Sequence, residues 1–377
     1  MGQRLRAAFI RGGTSKALVF HAADLPAERA EQEAIFLAAM GSPDRYGRQL
    51  DGMGGGVSSL SKVCIVGAPS VPGADVDYTF VQVQVKESRC DWSGNCGNMS
   101  SAIGPFAVDE GLVPPPGDGM TTVRIHNTNT RKIIHSSFEL RGGCSVERGE
   151  LRIPGVEGGG APVRLDFLQP GGATTGKLLP SGRPLDTLQV PGLGDVQLSM
   201  VDAANACVFV DAAALGLCGT ELPDALEANA EVLRKLADIR LQASVAMGIA
   251  ADLAAARRTP LVPLIGFVAA PCDSATLDGE RVTAQDCDLV VRMISNGQPH
   301  RALPLTGALC TAVAAQIEGS VVHGVVRARR SGPLRLAMPS GVLTVDASVR
   351  FAAGAWQVER GSFFRTTRRL FDGFVHV

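Results

Sequence analysis

The sequence predicts an α+β fold built as two similar domains, each a curled, mostly antiparallel sheet around a central helix. Three observations carry that prediction. The 377 residues include 44 glycines and 22 prolines, gathered as punctuation between short alternating segments, which favours many strands and turns over long helices. Two helical segments, 98–110 and 306–317, are small or apolar on all sides, so each needs cover on every face. Each of them follows a strand-like run (76–85; 289–294) and precedes another (123–134; 321–326), so the two halves read as one unit used twice.

The elements follow in order. Residues 27–40 (AERAEQEAIFLAAM) carry an amphipathic helical pattern. In 75–86 (DVDYTFVQVQVK), Val81, Val83 and Val85 alternate with Gln82 and Gln84, the period-two signature of a half-buried strand. Val76, Tyr78 and Phe80 alternate in the opposite phase, which implies a bulge at Phe80–Val81 or a strand buried on both faces at its start. Residues 123–134, 165–168, 206–210 and 289–294 read as further strands, several of them neighbours in sequence and so expected to pair antiparallel. One or two more helices, rich in Ala, Leu, Glu and Arg, fall within 222–247. The Gly- and Pro-dense stretch 169–184 marks a junction, giving domains 1–184 and 185–377, with the option that the last ~15 residues return to the first domain.

Composition narrows the function. With 36 Lys+Arg against 37 Asp+Glu, 45% hydrophobic and 19% charged residues, the chain has ample core and is no disordered protein. The balanced charge also argues against nucleic-acid or membrane-surface partners. A small-molecule partner is expected. The nine cysteines (64, 90, 96, 144, 207, 218, 272, 287, 310) form no Cys-x-x-Cys pair, so neither a disulfide framework nor a zinc site is indicated. The apolar run at 7–10 is too short for a signal peptide and no run approaches a membrane span, so a soluble cytoplasmic protein is expected.

Cofactor motifs fail on inspection. Residues 52–57 (GMGGGV) lack the last glycine of a dinucleotide fingerprint, and 171–178 (GGATTGKL) match a phosphate loop until Leu178. The six histidines show no ligand spacing. Neither cofactor nor metal is expected.

Three clusters remain. Ser93-Gly94-Asn95-Cys96-Gly97-Asn98 sets a cysteine between glycines at the mouth of a buried helix. Glycines let backbone and ligand approach closely, and the orphan amides of a helix start attract anions and lower a thiol's pKa. Asn95 and Asn98 are placed to cap or orient. The bland alternative is a turn with a small packed thiol. In Asp51–Val63 a glycine loop runs into a strand, with Ser61 and Lys62 at the threshold. Lys62 is either a solvated strand end or an amine held among hydroxyls, able to exchange a proton. Arg11-Gly12-Gly13-Thr14-Ser15-Lys16 is a hairpin turn or a carboxylate cradle.

Together with Asn127–Thr130, read as a strand, and Pro339-Ser340-Gly341, these motifs, in this order and over nearly the whole chain, resemble the PrpF family. That family includes 2-methylaconitate cis-trans isomerase, methylitaconate delta-isomerase and oxalomesaconate tautomerase. The resemblance implies a diaminopimelate-epimerase-like fold, two barrel-like sheets each around a helix, with the active site in the cleft. It also implies that Cys96 and Lys62 are the catalytic pair. Related epimerases carry a cysteine at the mouth of each central helix, whereas here Pro304 falls near the second such place and Cys310 lies one turn inside, which points to isomerisation rather than inversion of a stereocentre.

The expected function is a cofactor-independent isomerase of an unsaturated di- or tricarboxylate. An oxalomesaconate-type tautomerase, an amino-acid racemase or epimerase, and a non-catalytic accessory binding protein are the alternatives. Thr14, Ser15, Lys16, Ser61, Asn95, Gly97 and Asn98 are the expected substrate contacts. In the second half Arg292, His300 and Thr306, expected beside the second helix, are candidates to hold a distal carboxylate, with a structural role for His300 equally in view. Homodimerisation is left open.

Overall fold

The computed structural model describes residues 3–92, 94–295, 297–327 and 332–377, so Ser93 of the cysteine motif lies outside the described residues. The chain divides into two compact units, Met1–Asp166 with Phe364–Val377, and Phe167–Phe363. Among the described residues no helix is long and apolar enough to cross a membrane.

The first unit contains, in order, β1 (Arg4–Gly12), β2 (Ser15–His21), α1 (Arg29–Met40), β3 (Lys62–Gly67), β4 (Val76–Val83), β5 (Cys90–Asp91), α2 (Gly97–Asp109), β6 (Gly119–Asn127), β7 (Lys132–Arg141) and β8 (Cys144–Ser145). Next, β9 (Val163–Leu168) crosses the boundary. The second unit continues with β10 (Asp186–Val190), β11 (Gly194–Ala203), β12 (Asn205–Asp211), α3 (Pro223–Glu227), α4 (Ala230–Ala246), α5 (Leu253–Arg258) and β13 (Leu264–Ala269). A small hairpin, β14 (Ser274–Ala275) and β15 (Arg281–Val282), precedes β16 (Leu289–Ser295), β17 (Gln298–Pro299), α6 (Leu305–Ala314), α7 (Val321–Val325), β18 (Leu334–Met338), β19 (Gly341–Ala352) and β20 (Ala355–Arg365). The chain returns to the first unit at Phe364, near the end of β20, and the last strand, β21 (Thr367–His376), belongs to it.

Pairing shows the repeat directly. In the first unit β1–β2 is antiparallel, β2–β3 parallel, β3–β4 antiparallel, β4–β6 parallel and β6–β7 antiparallel. The series β11–β12–β13–β16–β18–β19 alternates in the same way. Short β5 hangs on β4 as β17 hangs on β16, and β21 lies outside β1 as β10 lies outside β11. The second crossover of each unit carries the apolar helix. Every residue of α2 from Met99 to Val108 is buried, against β1, β2, β3, β6, β7 and β21. In α6 the buried stretch is Gly307–Ala314, packed on β11, β12 and β19.

Several local expectations change. Register between β3 and β4 is unbroken from Lys62↔Gln82 to Gly67↔Asp77, so there is no bulge against β3. β4 is instead buried on both faces. Tyr78 bonds Ser100 of α2, while Val81 and Val83 join Leu18, Phe20, Phe36, Met40 and Val63 in the core on the α1 side. The segment 123–134 is two strands, because residues 128–131 form the turn joining β6 to β7. Residues 321–325 are helical rather than extended, because the Ser320 hydroxyl accepts from the His323 amide and caps them. The strand that follows α6 is β18.

The stretch 169–184 is no linker, since it lies inside the second unit and is pinned to β11. Gly172 N donates to the Asp202 carbonyl (2.7 Å) and Ala204 N to that of Pro170 (2.7 Å). The Asp202 carboxylate accepts from the amides of Thr174 (2.9 Å) and Thr175 (2.6 Å) and from the Thr175 hydroxyl (2.9 Å). The amides that would cradle a phosphate therefore hold the protein's own carboxylate.

Candidate active site

The site is built by strand parity. Ala17 lies beside Lys62 and Val19 beside Cys64 across β2–β3, and Gln82 and Phe80 stand opposite Lys62 and Cys64 across β3–β4. With a side-chain period of two, Ser15, Ala17, Val19, Lys62, Cys64, Tyr78, Phe80 and Gln82 share one face. Because Leu18, Phe20, Val63, Val81 and Val83 pack with α1, that shared face is the one turned to α2.

Lys62 is 8% exposed. Its Nζ donates to Gln82 Oε1 at 2.5 Å and lies 5.0 Å from the Phe80 ring centroid. Gln82 in turn donates Nε2 to the carbonyls of Ser58 and Ser61, each at 3.0 Å. One glutamine thus ties the lysine to the end of the glycine loop.

Cys96 is the N-cap residue of α2, half-buried, and no side chain caps the helix. The Gly97 and Asn98 amides consequently have no intrahelical acceptor. The thiol donates to the Ser15 hydroxyl across 4.0 Å. Asn95 Oδ1 accepts from Ser100 Oγ at 3.3 Å, which braces the approach to the helix. Beneath lies Cys64, whose thiol is pushed far up by burial, further up by Cys96, and down by Lys62. It donates to the Tyr78 hydroxyl (3.8 Å), which burial and the nearby Cys64 and Cys96 also raise. Ser15, which the Cys96 thiol meets, and Ala17, beside Lys62, follow each other on that face of β2, which places the two in one neighbourhood.

The β1–β2 turn closes on the helix opening. A Cβ on Gly12 would stand 2.7 Å from the Asn98 carbonyl oxygen, so only glycine permits this approach. Asn98 Nδ2 donates to Thr14 Oγ1 at 3.1 Å, and its Oδ1 accepts from Arg365 Nε at 2.9 Å.

Thr14, Ser15, Lys62, Asn95, Cys96, Gly97 and Asn98 are therefore brought together. Lys16 is not, for it neighbours Ser15 on β2 and so points to the opposite face, 5.5 Å from the Phe9 ring. Ser61 is fully buried beneath the loop, its hydroxyl held by Gln49 Oε1 (2.6 Å) and the Val57 carbonyl (2.9 Å). In the second unit Arg292 corrects the expectation that it lies beside α6. A Cβ on Gly307 of α6 would meet Met293 Sδ at 2.5 Å, so Met293 faces the helix and Arg292 the other side. Its guanidinium is buried, donating to the carbonyls of Glu221 (2.7 Å), Val291 (3.0 Å) and Ala337 (3.3 Å). His300, half-buried with its pKa lowered by burial, and exposed Thr306 flank the opening of α6. Pro304 is the N-cap of α6, the position Cys96 holds in α2, and Cys310 is packed, donating to the Val201 carbonyl at 3.4 Å.

Sequence reasoning missed Gln82 and Arg365. Gln82 looked like the solvent side of an alternating strand, and its signal was the phase switch that marks a strand covered on both faces. Arg365 carried no local signal, because its partners lie at the far end of the chain.

Comparison with known proteins places the chain. The family described as PrpF protein matches residues 2–377. The chain belongs to the PrpF family. It is 38% identical to 3-methylitaconate isomerase of Eubacterium barkeri, covering 99% of this chain and 97% of that one. To 2-methyl-aconitate isomerase of Cupriavidus necator it is 36% identical, with the same coverage. A crystal structure of methylitaconate-delta-isomerase superposes with a TM-score of 0.92 at 38% identity, covering 100% of this chain and 96% of the other. This PrpF chain is an isomerase with the diaminopimelate-epimerase-like fold.

Proposed function

We propose that this PrpF chain is a cofactor-independent isomerase of an unsaturated di- or tricarboxylate, passing a proton through Cys96 and Lys62. The observation that carries the reading is their convergence: Cys96, at the N-cap position of the helix whose amides open beside it, meets Ser15, and Lys62 lies on the same sheet face, turned to that helix. The relatives support the substrate class, one named for methylitaconate and one for methylaconitate.

A proton on a carbon allylic to a carboxylated double bond is weakly acidic. Its removal leaves a dienolate whose charge spreads onto a carboxylate, and stabilising that charge is the main catalytic task. The Gly97 and Asn98 amides and the Ser15 hydroxyl are the groups placed to do it. One of Cys96 and Lys62 removes the proton and the other returns one at a different carbon. Return at the far carbon moves the double bond, whereas rotation before return exchanges cis for trans. One intermediate serves both reactions, and an oxalomesaconate-type tautomerisation as well. Racemisation has less support, because Pro304 stands where a second thiol would cap α6.

Proton NMR of methylitaconate, 2-methylaconitate, trans-aconitate and oxalomesaconate in deuterated buffer tests the proposal. Deuterium should enter one of these acids at an allylic carbon as its double bond moves or flips. Turnover of none of them would refute it.

A further inference from the structure

Arg365 ends β20 within the stretch that returns to the first unit, and is 7% exposed. Its Nε donates to Asn98 Oδ1 (2.9 Å) and its Nη1 to the Phe364 carbonyl (2.8 Å). Gly13, at φ +53°, leaves the space for this bond: a Cβ there would stand 2.2 Å from Asn98 Oδ1 and 3.0 Å from Arg365 Cδ. With Asn98 also donating to Thr14, three segments distant in sequence lock around the first turn of α2, with a guanidinium behind it. Burial holds the Arg365 pKa down to about 10 while the Cys96 charge pulls it up, and Asn98, which Arg365 holds, lies two residues beyond Cys96 at the same helix opening. Burying a guanidinium costs free energy, and an uncharged side chain would fill the same space at less cost. With Lys62 also on the α2 side of the sheet, two cations serve one neighbourhood. With Lys62 engaged in proton transfer, Arg365 supplies a fixed positive charge that a substrate carboxylate answers.

We propose that Arg365 sets the selectivity of this site for polycarboxylates: its charge draws a substrate carboxylate to the opening of α2, and its bond to Asn98 keeps the amides there aimed at that group. The inference rests on the function proposed above and names the residue that recognises the substrate's charge at the opening of α2.

Two variants separate charge from packing. Arg365→Gln keeps a donor for Asn98 without the charge; Arg365→Lys keeps the charge without the fork. With the polycarboxylate substrate, Arg365→Gln should raise KM about 10- to 100-fold, the range of a charged hydrogen bond, while Arg365→Lys, which keeps the charge but not the fork, should raise it by less than Arg365→Gln does. With the monoester of that carboxylate, Arg365→Gln and wild type should give the same KM. An unchanged KM in Arg365→Gln, or equal losses with acid and ester, would overturn the proposal. Calorimetric binding of tricarballylate, a saturated tricarboxylate, reads the residue without turnover. Wild type should bind it and Arg365→Gln should bind it at least about 10-fold more weakly. Failure of wild type to bind would overturn the inference, whereas binding without turnover of any unsaturated acid would overturn only the reaction proposed.

Discussion

Lys62 is held because Gln82 stands opposite it on β4 and accepts its ammonium. The lysine is therefore a positioned donor rather than a mobile strand end, and its placement depends on the glutamine. Gln82→Leu, which keeps the volume but loses the acceptor, should lower kcat about 10- to 100-fold with little change in KM, measured by steady-state kinetics on the accepted acid. At this scale the sequence was readable where chemistry gathers in a short motif, as at Cys96 and Lys62. It was not readable where one residue of strand parity decides. Lys16 and Arg292 each neighbour a residue that faces a central helix, Ser15 and Met293. With both faces of these strands buried, alternation of polar and apolar residues does not mark which side is which.

At the scale of elements, α2 is anchored at both ends. Its C-cap, Glu110, accepts from Arg6 (3.1 Å), His21 (3.3 Å) and Arg369 (2.5 Å), joining the helix to β1, β2 and β21. Burial opposes the Glu110 charge, but bonds and charges from Arg369, His21 and Arg6 outweigh it and hold the carboxyl below its ordinary range. A carboxyl so depressed adds stability above its unfolded pKa and loses it as pH falls through its folded one. Glu110→Gln should therefore cost about 2 kcal/mol at neutral pH, and its deficit to wild type in urea unfolding should shrink steadily below about pH 4.5. The Asn127–Thr130 motif shows why an element can be seen and misassigned. Read as strand throughout, it leaves β6 at Asn127 and turns, and in that turn Asn129 pairs with the backbone N–H (2.8 Å) and C=O (2.9 Å) of Phe80 and with the Trp92 carbonyl (2.7 Å). Those bonds brace the loop that leads to Cys96, and no local propensity encodes them.

Across the whole molecule, the repeat was legible because a helix apolar on every side must be enclosed, and two of them demand two enclosures. The boundary was not, because 169–184 owes its glycines and prolines to a loop wound on Asp202 rather than to a joint. The two units share their strand order but differ at the helix openings, where Cys96 is the N-cap residue of α2 and Pro304 that of α6. Proton transfer belongs to the first unit alone on this reading. The decisive measurement is the rate of deuterium incorporation into the accepted unsaturated acid by wild type, Cys96→Ala, Lys62→Ala and Pro304→Ala, each confirmed folded by circular dichroism. Cys96→Ala and Lys62→Ala should each fall about 10³-fold while Pro304→Ala keeps the wild-type rate; full exchange in Cys96→Ala would contradict the proposed chemistry.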